Sequence, residues 1–197
     1  MIIDTEILLQ YGALLKNFEK NEAIFYEDDI AKFYFQIAKG KVKMCNINEE
    51  GKQFVQGIFS DGDSFGEPPL LIQEKYPASA IALCKTSVYK ISEHLFYKIL
   101  QDYPHYKDTF LKILAFRCVQ KANTSRDIIN QRTDHRILSF LNDFKRRKGS
   151  TTKKILVPYT RQEIADFTGL RVETVIRCLL LLHKNNQVQI LKGKVYY

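Results

Sequence analysis

Between residues 23 and 90, apolar positions recur every second residue. Phe33, Phe35 and Ile37 alternate with Tyr34, Gln36 and Ala38, which is the period of a strand. Runs of the same kind lie at 42–47, 53–59, 79–84 and 87–91. Lys39–Gly40, Glu50–Gly51 and Asp61–Gly62–Asp63 separate them as turns. Many short strands with evenly placed glycine turns predict an antiparallel barrel or jelly roll. Ahead of it, Ile7, Leu8, Leu14, Leu15 and Phe18 predict short helices over residues 1–20.

Beyond residue 91 the period lengthens. Residues 92–101 predict a helix with Ser92 as its cap, and Pro104 opens a helical stretch running to about Arg132. Leu111, Leu114, Cys118, Ala122, Ser125 and Ile129 fall at 3–4 spacing along it. Such a seam suits a two-stranded coiled coil, although Cys, Ala and Ser keep its middle thin. The competing reading is a helix packed only on its own barrel. Thr133–Asp134 is the expected hinge, with Asp134 capping a further helix to Phe144. A basic loop at 145–149 and a strand at 154–158 follow.

Residues 160–182 read TRQEIADFTGLRVETVIRCLLLL. Thr160 with Glu163 three residues on is a capping box, in which hydroxyl and carboxylate each satisfy a free backbone N–H. Ile164, Ala165, Phe167 and Thr168 give the first helix an inner face. Gly169 permits the sharp turn after it. A second helix runs from about Val172 to Lys184. Two short helices around such a turn form a helix-turn-helix, whose second helix enters the DNA major groove. Val175, Leu179 and Leu182 define its core face, while Glu173 and Arg177, four apart, share another. An outward Arg can bond a guanine edge with two hydrogen bonds, and a Glu can accept from cytosine. The plainer alternative is a helix ion pair worth ~0.3–0.5 kcal/mol. Residues 188–191 and 194–197, joined by Lys192–Gly193, predict a hairpin beside this motif, the wing of a winged helix.

Charge sharpens the picture. Of 30 basic and 22 acidic residues, 13 and 5 lie in residues 134–197, leaving 17 of each in residues 1–133. The whole net charge of +8 therefore sits on the segment with the motif, which fits a phosphate-binding footprint. The chain has 197 residues and is 45% hydrophobic, enough for one large or two small cores. No apolar run is long enough to span a bilayer. The acidic N-terminus is unlike a signal peptide, so the expected location is the cytoplasm. Cys45, Cys84, Cys118 and Cys178 are scattered, and are expected to be free buried thiols rather than an iron–sulfur site.

The helix-turn-helix resembles the DNA-reading segment of the Crp/Fnr family of bacterial transcription regulators. The residues 35–42, 51–52 and 62–67 (FQIAKGKV, GK and GDSFGE) resemble that family's cyclic-nucleotide-binding domain, in the same order along the chain. The resemblance implies an α+β protein in three parts: a sensor barrel at 1–103, a dimerisation helix and hinge at 104–133, and a winged helix-turn-helix at 134–197. It implies DNA contacts by Arg161, Arg171, Glu173, Thr174, Arg177 and Lys192. It further implies a dimer interface along Leu111, Leu114, Cys118 and Ala122. Two departures affect base preference. Ile176 stands where Ser is usual in the Fnr branch, and Arg171 occupies a cap position where Ser or Thr is usual, costing ~1 kcal/mol.

In nucleotide-binding members a Gly-Glu pair opens the phosphate cassette, and an Arg-Ser or Arg-Thr pair follows about ten residues later. Gly66, Glu67 and Ser79 match, but Ala78 replaces the Arg, and no Arg occurs from residue 1 to 116. Lys75 is a poorly aligned substitute. Lys121 and Ala122 replace the Thr and Ser that contact adenine. A cyclic phosphate in a partly dry pocket needs a charged fork, so cAMP is disfavoured and no cofactor is expected. Glu67 is then a packing carboxylate or a ligand contact.

The resulting expectation is a homodimeric, sequence-specific regulator of transcription on an inverted repeat of double-stranded DNA, with RNA polymerase as a further partner and no membrane. Its mechanism would be a shift between two orientations of the recognition helices, which a ligand drives only by binding one of them more tightly. The alternatives are a cyclic-nucleotide-responsive member and a haem or redox sensor. A metal-dependent enzyme on the barrel is disfavoured, because His94, His105, His135 and His183 all lie outside the predicted strands.

Overall fold

The computed structural model describes residues 1–47, 53–129, 133–147 and 154–197. It divides into two compact units, Met1–Cys118 and Val119–Tyr197.

The first unit begins with helix α1 (Thr5–Gln10). Eight strands follow: β1 (Leu14–Phe18), β2 (Ala23–Phe25), β3 (Phe33–Lys39), β4 (Lys41–Ile47), β5 (Gln53–Ser60), β6 (Ser64–Phe65), β7 (Ser79–Ala82) and β8 (Thr86–Ser92). They form two four-stranded sheets, ordered β1-β8-β3-β6 and β2-β7-β4-β5, with every described pairing antiparallel. Residues 14–18 were expected to be helical. They are a strand because Leu14 to Phe18 pair with Lys90 to Thr86 along the edge of β8; two leucines and a phenylalanine carry too little periodicity to exclude this. The expected turn at Glu50–Gly51 lies outside the described residues.

Short helix α2 (Glu67–Leu71) interrupts the strands, and α3 (Glu93–Asp102) and α4 (His105–Ile129) follow them. Ser92 makes no side-chain cap to α3; the Glu93 N–H is instead satisfied by the Lys32 carbonyl. The core is aromatic. Tyr34 stacks on Phe96 with centroids 4.6 Å apart, and Phe25 on Tyr76 at 3.6 Å. Gly40 is required at its turn: its φ is +115°, and a Cβ there would lie 2.8 Å from the Thr86 backbone.

The second unit contains α5 (Thr133–Arg147), β9 (Leu156–Val157), α6 (Arg161–Thr168), α7 (Val172–Lys184), β10 (Gln189–Leu191) and β11 (Lys194–Tyr196). Its three strands form a small sheet ordered β10-β11-β9. Ile137, Leu141, Ile164, Val175, Leu179 and Val195 centre its core. Thr133 and Asp134, expected as a hinge and a cap, are instead the first residues of α5, and Lys145–Arg147, expected in the basic loop, form its last turn; the rest of that loop lies outside the described residues.

Candidate nucleic-acid interface and the barrel site

Helix α6 starts where its capping box dictates. The Glu163 N–H donates to Thr160 Oγ1 at 3.1 Å, and the Thr160 N–H donates to Glu163 Oε2 at 2.7 Å. It ends at Gly169, in the left-handed region at φ 62°. There the Arg136 guanidinium, from α5, donates to the Thr168 carbonyl and so satisfies an acceptor that the helix end leaves open. Burial lowers the Arg136 pKa. Sequence patterning did not single out Arg136, since nothing local marks a side chain that caps a helix 32 residues away.

Helix α7 buries Val175, Leu179 and Leu182, seating it against the unit's core. Glu173, Ile176 and Arg177 lie exposed on its outer side, and Thr174 is half-buried. Glu173 and Arg177 have no ion-pair partner among the described residues, so the pairing alternative does not hold in this structure. Arg171 is exposed at the helix's N-cap and supplies no side-chain cap. The first backbone N–H groups of α7 are left to other acceptors, and such a helix start attracts phosphate.

The wing turns at Lys192 and Gly193, with φ of 47° and 75°. Two positive φ values in a two-residue loop match the right-handed twist of the hairpin strands. Lys192 is exposed at the tip. Arg161 is half-buried and donates to the Gly193 carbonyl at 3.1 Å. It was expected on DNA, and here it also ties the start of α6 to the wing turn.

In the barrel, Gly66 has φ 77°, and a Cβ on it would come within 3.1 Å of the Tyr76 ring and 3.2 Å of Phe25. That turn sends Glu67 inward, where its side chain is fully buried. The Ser64 hydroxyl donates to Glu67 Oε1. Arg117, from α4, donates through Nη1 to Glu67 Oε2 at 2.9 Å and Oε1 at 3.2 Å, and through Nη2 to the Ser64 carbonyl at 2.8 Å. Its guanidinium carbon also lies 5.0 Å from the Phe59 ring centre. Burial, with the Glu67 carboxylate second, pushes the Tyr34 phenol well above its ordinary range. Ser79, also expected in the effector pocket, accepts from the Glu27 N–H at 2.9 Å. Ala78 is fully buried in the barrel core, and Lys75 is exposed.

On α4, Leu111, Cys118 and Ala122 are exposed and Leu114 is half-buried. Phe116 and Val119 add to the exposed apolar surface, with Leu111 69% and Val119 61% accessible. The side chains of Ser125 and Ile129 lie outside those described. Two cysteines differ from expectation: Cys45 and Cys178 are buried, but Cys84 and Cys118 are exposed. Cys84 stands at the turn after β7 and Cys118 on the outer side of α4, so neither meets the core. No cluster of His, Cys, Asp or Glu able to hold a metal occurs among the described residues, and none of their helices is long and apolar enough to cross a membrane.

The chain matches the cyclic nucleotide-binding domain family over residues 15–103 and the Crp-like helix-turn-helix domain family over residues 135–196. It is 28% identical to the nitrogen fixation regulation protein FixK of Azorhizobium caulinodans, a match covering 88% of this chain and 70% of that protein. It is 25% identical to the transcriptional activator protein Anr of Pseudomonas aeruginosa, over 86% and 70% of the two chains. Among solved structures, FixK2 from Bradyrhizobium japonicum superposes with a TM-score of 0.77 at 22% identity, covering 93% of this chain and 91% of that one. The c-di-GMP-responsive regulator CLP of Xanthomonas campestris gives 0.79 at 18%, covering 97% and 96%. The chain belongs to the Crp/Fnr family and is a DNA-binding transcription regulator.

Proposed function

We propose that this regulator acts as a homodimer on an inverted-repeat site, with Arg177 and Glu173 reading base pairs, and that its barrel does not use cAMP. The observation that carries the reading is the outer face of α7, where Glu173 and Arg177 stand exposed, with no ion-pair partner among the described residues. An Arg so presented can bond a guanine O6 and N7 together, and a Glu can accept from a cytosine amino group. Arg171, Arg161 and Lys192 lie at the helix start and wing, where contacts to phosphate would fix register without reading sequence.

The exposed apolar side chains of α4 support dimerisation, since a second copy of the helix would cover Leu111, Cys118 and Val119. A two-fold dimer presents its recognition helices about one DNA turn apart, roughly 34 Å. RNA polymerase is the further partner through which a DNA-bound regulator acts, and the cytoplasm is the compartment that holds both.

The internal Arg117–Glu67 pair supports a barrel without cAMP. The carboxylate that would meet a ribose hydroxyl is occupied by a side chain of the protein itself, and Ala78 offers no fork for the phosphate. Selecting bound duplexes from a random pool tests the DNA reading: the account expects an inverted repeat, and an unrepeated consensus would contradict the dimer.

A further inference from the structure

We propose that Arg136 is a positioning residue for DNA reading: by holding the carbonyl end of α6 it fixes the turn into α7, and with it the aim of Glu173 and Arg177. The inference rests on the DNA reading above and moves from the groups that touch bases to a group that points them.

Arg136 stands in the first turn of α5, next to Ile137, which is fully buried in the core of the unit. From this seat its guanidinium donates to the Thr168 carbonyl, the last of α6. Thr168 is itself buried, and its hydroxyl donates back to the Ile164 carbonyl at 2.7 Å. Residues 169–171 then lead into α7. Gly169 takes its left-handed conformation, and the Leu170 N–H donates to the Ala165 carbonyl at 3.0 Å. A connection this short has little slack, so the direction of the Thr168 carbonyl sets the start of the recognition helix. The first turn of α5 also faces α7: burial, and after it the Asp134 carboxylate, raises the Cys178 thiol pKa.

The cost of this arrangement is informative. Burial lowers the Arg136 pKa, and its Nε is buried with no hydrogen-bond partner among the described residues. A partly desolvated guanidinium with a donor unused is an expensive way to stabilise a domain. What it supplies that an apolar side chain cannot is direction. A charged donor holds one carbonyl at a helix end, where the helix dipole strengthens the bond.

The test uses full-length protein, the duplex returned by selection and an unrelated duplex of equal length. Affinities are read by fluorescence anisotropy well below the unfolding transition, and stability by urea titration. Arg136→Gln should bind the selected duplex about tenfold more weakly, a loss on the scale of one misaimed two-bond base contact. Its affinity for the unrelated duplex and its salt slope should stay at wild-type values, because phosphate contacts set both. Arg136→Lys keeps the charge without the fork, and should recover part of the specificity; it also carries the test if the Gln variant does not fold. Tyr197→Phe is the control for stability alone. It removes a different tie to α5, the bond from the Tyr197 hydroxyl to Asn142 Oδ1 at 2.6 Å, and should lower the urea midpoint while keeping the ratio of the two affinities.

A wild-type ratio in Arg136→Gln overturns the inference. So does an equal loss on both duplexes with a flatter salt slope, which would make Arg136 a phosphate contact. A ratio that falls as far in Tyr197→Phe would tie it to stability and overturn it too. Each of these leaves the DNA reading standing, whereas a pool that yields no consensus removes both.

Discussion

The guanidinium of Arg117 grips both carboxylate oxygens of Glu67, at 2.9 and 3.2 Å, joining residues 50 positions apart. Glu67 is fully buried and Arg117 keeps 23% of its side chain accessible. The pair thus links the turn after β6 to the first half of α4 within one unit. A ligand that competes for Glu67 would have to displace this fork.

Removing the cation alone should be costly. Arg117→Leu strands a buried carboxylate, with an expected loss of about 3 kcal/mol, at the lower end of values for broken buried pairs because Arg117 keeps some contact with water. Replacing both residues, as Glu67→Leu with Arg117→Leu, should recover much of that loss, because no charge is left unpaired. Urea titration of Arg117→Leu, Glu67→Leu and the double variant measures this. A double variant as unstable as the sum of the singles would mean the two side chains are not coupled.

Cyclic AMP should bind no tighter than about millimolar, since each missing charged or polar partner forfeits ~1.5–3 kcal/mol. Calorimetry on the purified protein decides the point, and a micromolar constant would contradict it.

Val119→Glu should shift the protein toward monomer in sedimentation, because Val119 is 61% exposed in a single chain and a carboxylate at a helix seam loses hydration. Thiol labelling gives a second readout. Cys84, exposed at a turn, should alkylate readily in both proteins. Cys118 should label slowly in the wild-type dimer and quickly in Val119→Glu. Cys45 and Cys178 are buried, and burial raises the Cys178 thiol pKa further from the reactive thiolate. They should therefore react only after unfolding. An unchanged dimer in Val119→Glu would place the interface elsewhere.

What the sequence disclosed followed from local rules. The Thr160–Glu163 box and Gly169 are short-range signals, and both stand where the spacing placed them. Val175, Leu179 and Leu182 are buried as the helical period required. The alternation in β3 located the strand but not its surroundings. Tyr34 and Gln36 are as buried as Phe35 and Ile37, because Phe96 covers Tyr34 and Gln36 holds the backbone of Ile3 from both ends of its amide. The partner of Glu67 was not legible, since no local pattern ties a residue in a long helix to a turn 50 positions earlier. One hint existed: Arg117 is the first arginine in the chain, the earliest fork available to a carboxylate in the barrel.

The central claim is that Arg177 reads sequence while the wing only holds phosphate, and the contrast between two variants tests it. Arg177→Ala should cost roughly 1–3 kcal/mol per half-site and relax preference at one base pair of each half. Lys192→Ala should weaken binding to all duplexes alike and flatten the salt dependence by about one ion per subunit. The direct measurement is selection from random duplexes with wild type and Arg177→Ala in parallel. The account predicts an inverted repeat for wild type that loses one conserved base pair per half-site in the variant. Identical preferences for the two proteins would remove Arg177 from the reading face.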